Sequence, residues 1–311
     1  MTPLVQLRDV TLRDGLQLTG KPLDTETKVE LARLLLASGI DAIEIGAMAR
    51  PDLVPPMANT LHVIASLTPE ELQRCWVWTA TPRGIARAID AGARNVEYCL
   101  SVSDQHNLAN VGRSTAESMA ALPEAAELVA AAGGRLQLTL ATAFTCPYSG
   151  AVEPQRVLDL ITDGRATAVS SVVLCDTLGQ ATPDQVQRLV ELVGDVAPGH
   201  EIVFHGHDTW GLGVANTLAA IRAGATMVDG ALGGLGGCPF APGASGNTST
   251  EDLLFALQPP YLTPPVFADI VTAAGRLLAQ LGEPNRSKAA QGARSTANAF
   301  EWVISSQELS A

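Results

Sequence analysis

Short apolar, β-branched runs alternate along this chain with longer stretches whose apolar residues recur every three or four positions. The first kind fits strands, whose side chains alternate between two faces, and the second fits helices that bury one stripe. The pattern predicts strands near 4–10, 42–46, 75–79, 95–100, 135–141, 170–175, 201–205 and 226–231. It predicts helices near 25–37, 59–66, 82–91, 114–132, 153–163, 182–196 and 212–222, then C-terminal helices near 249–257 and 264–281. Several helix starts carry side chains that accept from the free amides of a first turn: Asp24, Thr81 before Pro82, Thr182 before Pro183, and Ser249. Gly39, Gly92 and Gly224 follow predicted helices in a recurring Ala-Ser-Gly or Ala-Gly-Ala setting, where a left-handed C-cap is expected.

Eight strands, each followed by a helix across a short loop, predict a (β/α)8 TIM barrel with extra C-terminal helices from about residue 249. No linker or low-complexity stretch interrupts the pattern, so residues 1–311 read as a single catalytic domain. The competing architecture is a doubly wound open sheet. That fold asks for a Gly-x-Gly-x-x-Gly turn after the first strand, and Arg13-Asp14-Gly15-Leu16-Gln17 stands there instead.

Composition narrows the function. Hydrophobic residues make up 47% of the chain but aromatics only 4%, so alanine, leucine and valine must fill the core. The net charge of −12 argues against nucleic acid or an anionic membrane as partner, because both demand basic surfaces. No apolar run reaches the roughly 18–20 residues that span a bilayer. Met1–Val5 passes almost at once into the first strand, and Glu308–Ala311 is no address tag, so no signal or transit peptide is expected. The five cysteines are scattered without a C-x-x-C pair, which fits a reducing cytosol and neither a disulfide framework nor a structural zinc site. Cys75, Cys99, Cys146 and Cys175 lie in or beside apolar stretches and read as packing residues, whereas Cys238 does not.

The chemistry gathers at predicted C-terminal strand ends, which form the active rim of such a barrel. Arg13 and Asp14 follow the first strand, Glu44 lies in the second, and Asp176 follows the sixth. His205 and His207 close the seventh strand, and at i and i+2 they point the same way and can grip one metal ion. Cys238 and Asn247 belong to the glycine-rich loop after the eighth.

Three of these segments carry a resemblance. Thr11–Gln17 (TLRDGLQ), His205–Thr209 (HGHDT) with Gly211 and Ala215–Thr217, and Gly236–Asn247 (GGCPFAPGASGN) continuing to Thr250–Asp252 resemble the 3-hydroxy-3-methylglutaryl-CoA lyase family. That family belongs to the DRE-type TIM-barrel metallolyases, and the resemblance runs from about residue 5 to residue 282. It implies metal ligands at Asp14, His205, His207 and Asn247, holding Mg²⁺ or Mn²⁺; zinc, which prefers a tighter nitrogen–sulfur shell, suits the set less well. It implies that Arg13 stabilises the developing enolate oxygen, that Cys238 protonates the enolate carbon, and that His205 takes or shuttles the hydroxyl proton. Glu44 and Asp176 would orient these groups or bind water, and Gln17, Ser103 and Asn110 would contact substrate. His106 lies in the same Ser101–Asn110 stretch, read as a loop, where substrate contact and an ordinary polar role both remain open.

The implied reaction is retro-Claisen cleavage of 3-hydroxy-3-methylglutaryl-CoA to acetyl-CoA and acetoacetate, the chemistry of leucine degradation. The partners implied are an acyl-CoA substrate and a second subunit in a homodimer, in a bacterial cytoplasm. The chain departs from the family at two places. Leu18-Thr19-Gly20-Lys21 replaces the usual Asn-Glu and basic residue, so Lys21 serves only if the loop is shifted by one. Ala47–Asn59 keeps its frame but loses several polar residues around the acyl group and the CoA entrance. The alternatives are therefore a sibling lyase for a citramalyl-type or longer branched 3-hydroxyacyl-CoA, an aldolase acting on a 4-hydroxy-2-oxo acid, and an inactive metal- and CoA-binding barrel. Claisen-type synthases of the superfamily are disfavoured, since they show His-x-His-Asn-Asp where this chain has His205–Thr209.

Overall fold

The computed structural model describes residues 5–237, 246–295 and 300–304. Eight parallel strands close into a barrel in sequence order: β1 (Gln6–Asp9), β2 (Ala42–Ala47), β3 (Cys75–Thr79), β4 (Asn95–Ser101), β5 (Arg135–Ala141), β6 (Ser171–Asp176), β7 (Glu201–Gly206) and β8 (Met227–Gly230). β8 pairs back onto β1 with Asp9 opposite Gly230, so no strand edge is left open. Helices cross between successive strands: α1 (Thr25–Ala37), α2 (Thr60–Ser66), α3 (Pro82–Asp90), α4 (Asp104–Val111), α5 (Thr115–Ala131), α6 (Pro154–Ile161), α7 (Pro183–Val196) and α8 (Gly213–Arg222). After β8 come α9 (Thr250–Leu257), α10 (Pro264–Leu281) and α11 (Lys288–Gly292). The fold is the expected TIM barrel, and no described helix is long and apolar enough to cross a membrane.

Local chemistry sets these boundaries. Asp24 accepts from Thr27 N, Thr81 from Gly84 N, Thr182 from Gln185 N and Ser249 from Asp252 N, each satisfying an amide that a helix start leaves free. The outward faces of the strands pack against the helices in one large apolar cluster, which includes Leu35, Ile43, Val77, Leu138, Leu174 and Phe204. The inward faces form a separate small cluster of Ala42, Trp76, Val173, Cys175, Val203 and Met227. Trp76, Val203 and Met227 each precede by two residues an inward-facing polar or aromatic group (Trp78, His205, Asp229), so the apolar cluster fills the N-terminal end of the barrel. The C-terminal end is left for chemistry.

Several segments differ from the sequence reading, among them the short helices Pro69–Leu72 and α11, which it did not contain. Among the described residues the first strand stops at Asp9, and Thr11–Gly15 forms a single π-helical turn that swings Arg13 and Asp14 over the barrel mouth. The Ser101–Asn110 stretch, expected as a loop, contains α4: Ser103 caps its start and Gly112, at φ 75°, ends it. Its few apolar residues left the helical period too weak to see. A two-stranded hairpin of Thr145–Cys146 and Gly150–Ala151 also rises after β5.

Candidate active site

The mouth of the barrel holds a cavity of about 80 Å³ lined by Arg13, Asp14, Gln17, Trp78, Cys99, His205 and His207, among others. β7 supplies both histidines. The Nε2 atoms of His205 and His207 face each other at 3.2 Å, and Asp14 Oδ2 lies 3.5 Å from His207 Nε2. Asp14, His205 and His207 form a cluster whose ligand atoms all lie within 4.8 Å of one another. Asn247 joins them from the other side, bridging to His207 through the backbone while its Nδ2 donates to Asp14 Oδ2 at 2.8 Å and to Leu235 O at 3.0 Å. Its Oδ1 is buried without a hydrogen-bond partner. An orphaned amide oxygen beside converging imidazole nitrogens and a carboxylate is a donor set that fits a cation, because buried acceptors otherwise cost free energy.

Arg13 ties this cluster to β2. Its Nη1 donates to Asp14 Oδ1 at 2.6 Å, its Nε lies 2.8 Å from Glu44 Oε1 without hydrogen-bond alignment, and its guanidinium stacks over Trp78 at 5.6 Å. Burial by itself would raise the Asp14 carboxyl, but the Arg13 guanidinium and the two imidazoles outweigh it and hold the group well below the usual carboxylate range. Asp14 is thus an anion at any working pH, as a ligand must be. Glu44 goes the other way: burial, against the pull of Arg13, pushes it well above the usual range.

Beneath the cluster lies a buried polar layer that the sequence reading missed. Arg8, from β1, binds Asp229 of β8 in a two-pronged pair and also reaches Glu97 and Gln137. The signal was present, since Arg8 and Asp229 are charges inside otherwise apolar strand runs, and that arrangement requires a buried partner. Even with Glu44 left aside, three carboxyl groups (Asp14, Glu97 and Asp229) stand against two guanidiniums (Arg8 and Arg13) among the described residues. The surplus of carboxylates favours a cation at the mouth.

The remaining expected residues divide into two groups. Gln17, Asn110 and His106 line the cavity with Arg13 and Asp14. Burial lowers the His106 imidazole to about 4, so it is neutral there. Ser103 does not line the cavity; its hydroxyl caps α4 and accepts from Cys146 Sγ at 3.1 Å. Asp176, the last residue of β6, spends its oxygens on the amides of Gln180 and Ala181, which fixes the loop it begins. Glu44 reaches the cluster only through Arg13. Lys21 turns away and donates to Leu281 O at the end of α10. Cys99 and Cys175, read as packing residues, are buried but line the cavity wall; burial pushes Cys99 up to about 12 and Cys175 well above the usual thiol range, so both stay as neutral thiols. Cys238 lies outside the described residues, and Gly237 before it borders the cavity.

With this geometry in view, known proteins become informative. A family model described as HMGL-like matches residues 4–272. The (R)-citramalyl-CoA lyase of Chloroflexus aurantiacus is 36% identical, over 90% of this chain and 92% of its own. The crystal structure of the Bacillus subtilis HMG-CoA lyase superposes with a TM-score of 0.87 at 30% identity, covering 95% of this chain and 99% of the other. An HMG-CoA lyase from Acinetobacter baumannii, solved in complex with coenzyme A and 3-methylmalate, gives a TM-score of 0.85 at 34% identity over 94% and 96% of the two chains.

Proposed function

Since this chain belongs to the HMGL-like family, we propose that it is a divalent-metal-dependent carbon–carbon lyase that cleaves 3-hydroxy-3-methylglutaryl-CoA to acetyl-CoA and acetoacetate. The observation that carries the reading is the convergence of Asp14, His205 and His207 within one coordination sphere beside the orphaned Oδ1 of Asn247. These residues would hold Mg²⁺ or Mn²⁺, whose preference for oxygen and imidazole donors matches the set. Once bound, the cation would act as a Lewis acid on the C3 hydroxyl and a neighbouring carboxylate or carbonyl oxygen.

The protein's own groups do the rest. His205 is the group we assign to take or relay the C3 hydroxyl proton, which it can do through Nε2 only while that nitrogen is off the cation, because Nδ1 faces Asp229. The C2–C3 bond breaks, and C3 leaves as the ketone of acetoacetate. The electron pair moves onto the thioester as an enolate, whose oxygen Arg13 stabilises from a fixed position between Glu44 and Asp14. Cys238 then gives its proton to C2, completing acetyl-CoA. Gln17 and Asn110 line the cavity where substrate would lie. Glu44 acts by holding Arg13, Asp176 by fixing the loop after β6, and Ser103 by capping α4 under the cavity wall. A single catalytic domain, paired as a homodimer in a bacterial cytoplasm, goes with this reading; the scattered cysteines fit a reducing compartment.

A citramalyl-type thioester is the second reading, favoured by the relative from Chloroflexus aurantiacus and by the altered Ala47–Asn59 segment. The test is a substrate panel with Mn²⁺ present: 3-hydroxy-3-methylglutaryl-CoA, citramalyl-CoA, a longer branched analogue and a 4-hydroxy-2-oxo acid. Acetoacetate formed from the first with the highest kcat/KM is the expected result. Pyruvate from citramalyl-CoA at a higher kcat/KM moves the enzyme to the second reading, and cleavage of only the free oxo acid makes it an aldolase.

A further inference from the structure

Asp229 belongs to no part of the reaction described so far, yet it is the residue through which the deepest charge in the barrel reaches the metal cluster. It is 2% exposed and lies one residue before the end of β8. Its Oδ1 accepts from Arg8 Nε at 2.9 Å and its Oδ2 from Arg8 Nη2 at 2.7 Å. The same Oδ2 lies 3.0 Å from Nδ1 of His205. Arg8 is immobilised in turn, because its Nη1 donates to Glu97 Oε1 at 2.5 Å and to Gln137 Oε1 at 2.8 Å. Glu97 is pinned from β5 by Thr139 Oγ1 at 2.9 Å. Five strands therefore fix the position of one carboxylate.

This arrangement constrains the imidazole. A carboxylate paired with a guanidinium is an acceptor only, so the His205 nitrogen facing it must carry the proton. In the neutral ring the other nitrogen, Nε2, is then the acceptor, aimed at the space between His207 Nε2 and Asp14. We propose that Asp229, locked by Arg8, is the positioning residue that sets the His205 tautomer and ring angle for metal binding. The proposal rests on the reading of Asp14, His205, His207 and Asn247 as metal ligands. Carboxylates behind ligating histidines contribute about 10–100-fold to metal affinity. Among the described residues His207 has no such support, for its Nδ1 is buried without a hydrogen-bond partner there. The two imidazoles of the pair are therefore unequal, and His205 is the preorganised one.

The test combines tautomer and affinity. Nitrogen-15 NMR of the metal-free wild type should show His205 as the single tautomer protonated at Nδ1; protonation at Nε2 overturns the proposal without any variant having to fold. Calorimetric titration of Mn²⁺ into wild type, Asp229→Asn, His205→Ala and the double variant completes a cycle. Asp229→Asn should weaken Mn²⁺ about 10–100-fold in the wild-type background and by no more than about 3-fold once His205 is gone. An equal loss in both backgrounds makes Asp229 a structural counter-charge for Arg8, and an unchanged affinity removes it from the site. If wild type binds no Mn²⁺, the metal reading itself fails, while the tautomer still reports on Asp229.

Discussion

At the scale of residues, the chemistry divides between groups that touch the ligand space and groups that hold them there. Cys238 stands alone in its predicted role, being the one thiol outside an apolar strand context, flanked by glycines after β8. Cys99 and Cys175 also line the cavity as neutral thiols, but they stand on the buried strands β4 and β6 and not on the glycine-rich loop. Cys238→Ser should therefore bind Mn²⁺ as wild type does while kcat falls about 10²–10⁴-fold, the usual contribution of a general acid. Undiminished kcat would take Cys238 out of the mechanism. The convergence of Asp14, His205 and His207 was legible in the sequence, because their motifs fall at or just after the ends of β1 and β7. Arg8 and Asp229 were harder to see, since they lie at opposite ends of the chain and only barrel closure, with β1 beside β8, pairs them.

At the scale of elements, the strands were easier to read than the loops. Short apolar, β-branched runs located every barrel strand and the 3.6-residue period most of the helices; the strands are buried on both faces, so they read as near-continuous runs bounded by turn residues. The turn at Thr11–Gly15 and helix α4 escaped, since each is short; the first has no side-chain cap, and the second is bounded by the Ser103 cap and Gly112 and carries few apolar residues. The glycine-rich loop after β8 has a specific physical reason for its composition. Gly236 sits at φ 123°, and a Cβ there would come within 2.5 Å of Asn247 Nδ2. Gly246 likewise packs against the carbonyls of Gly234 and Gly236. Gly236→Ala should push Asn247 off Asp14 and cost about 1–3 kcal/mol in backbone strain alone. A lower urea midpoint together with weaker Mn²⁺ binding is expected; wild-type Mn²⁺ affinity would mean that Asn247 keeps its place by other means.

At the scale of the whole molecule, the barrel separates stability from function along its axis. Apolar residues fill the N-terminal end, a buried charged layer centred on Arg8 lies above them, and the ligand atoms open at the mouth. Along that gradient the Arg8 layer supports the cluster above it through Asp229, which joins Arg8 to His205. On the proposed reading, a bound cation would be the organising centre of the reaction. The most direct test is to strip the protein with EDTA, exchange it into metal-free buffer, and follow acetoacetate from 3-hydroxy-3-methylglutaryl-CoA before and after adding Mg²⁺ or Mn²⁺. Acetoacetate that is absent from the stripped protein and restored by either cation is the predicted result; release at the same rate with no metal present would contradict it.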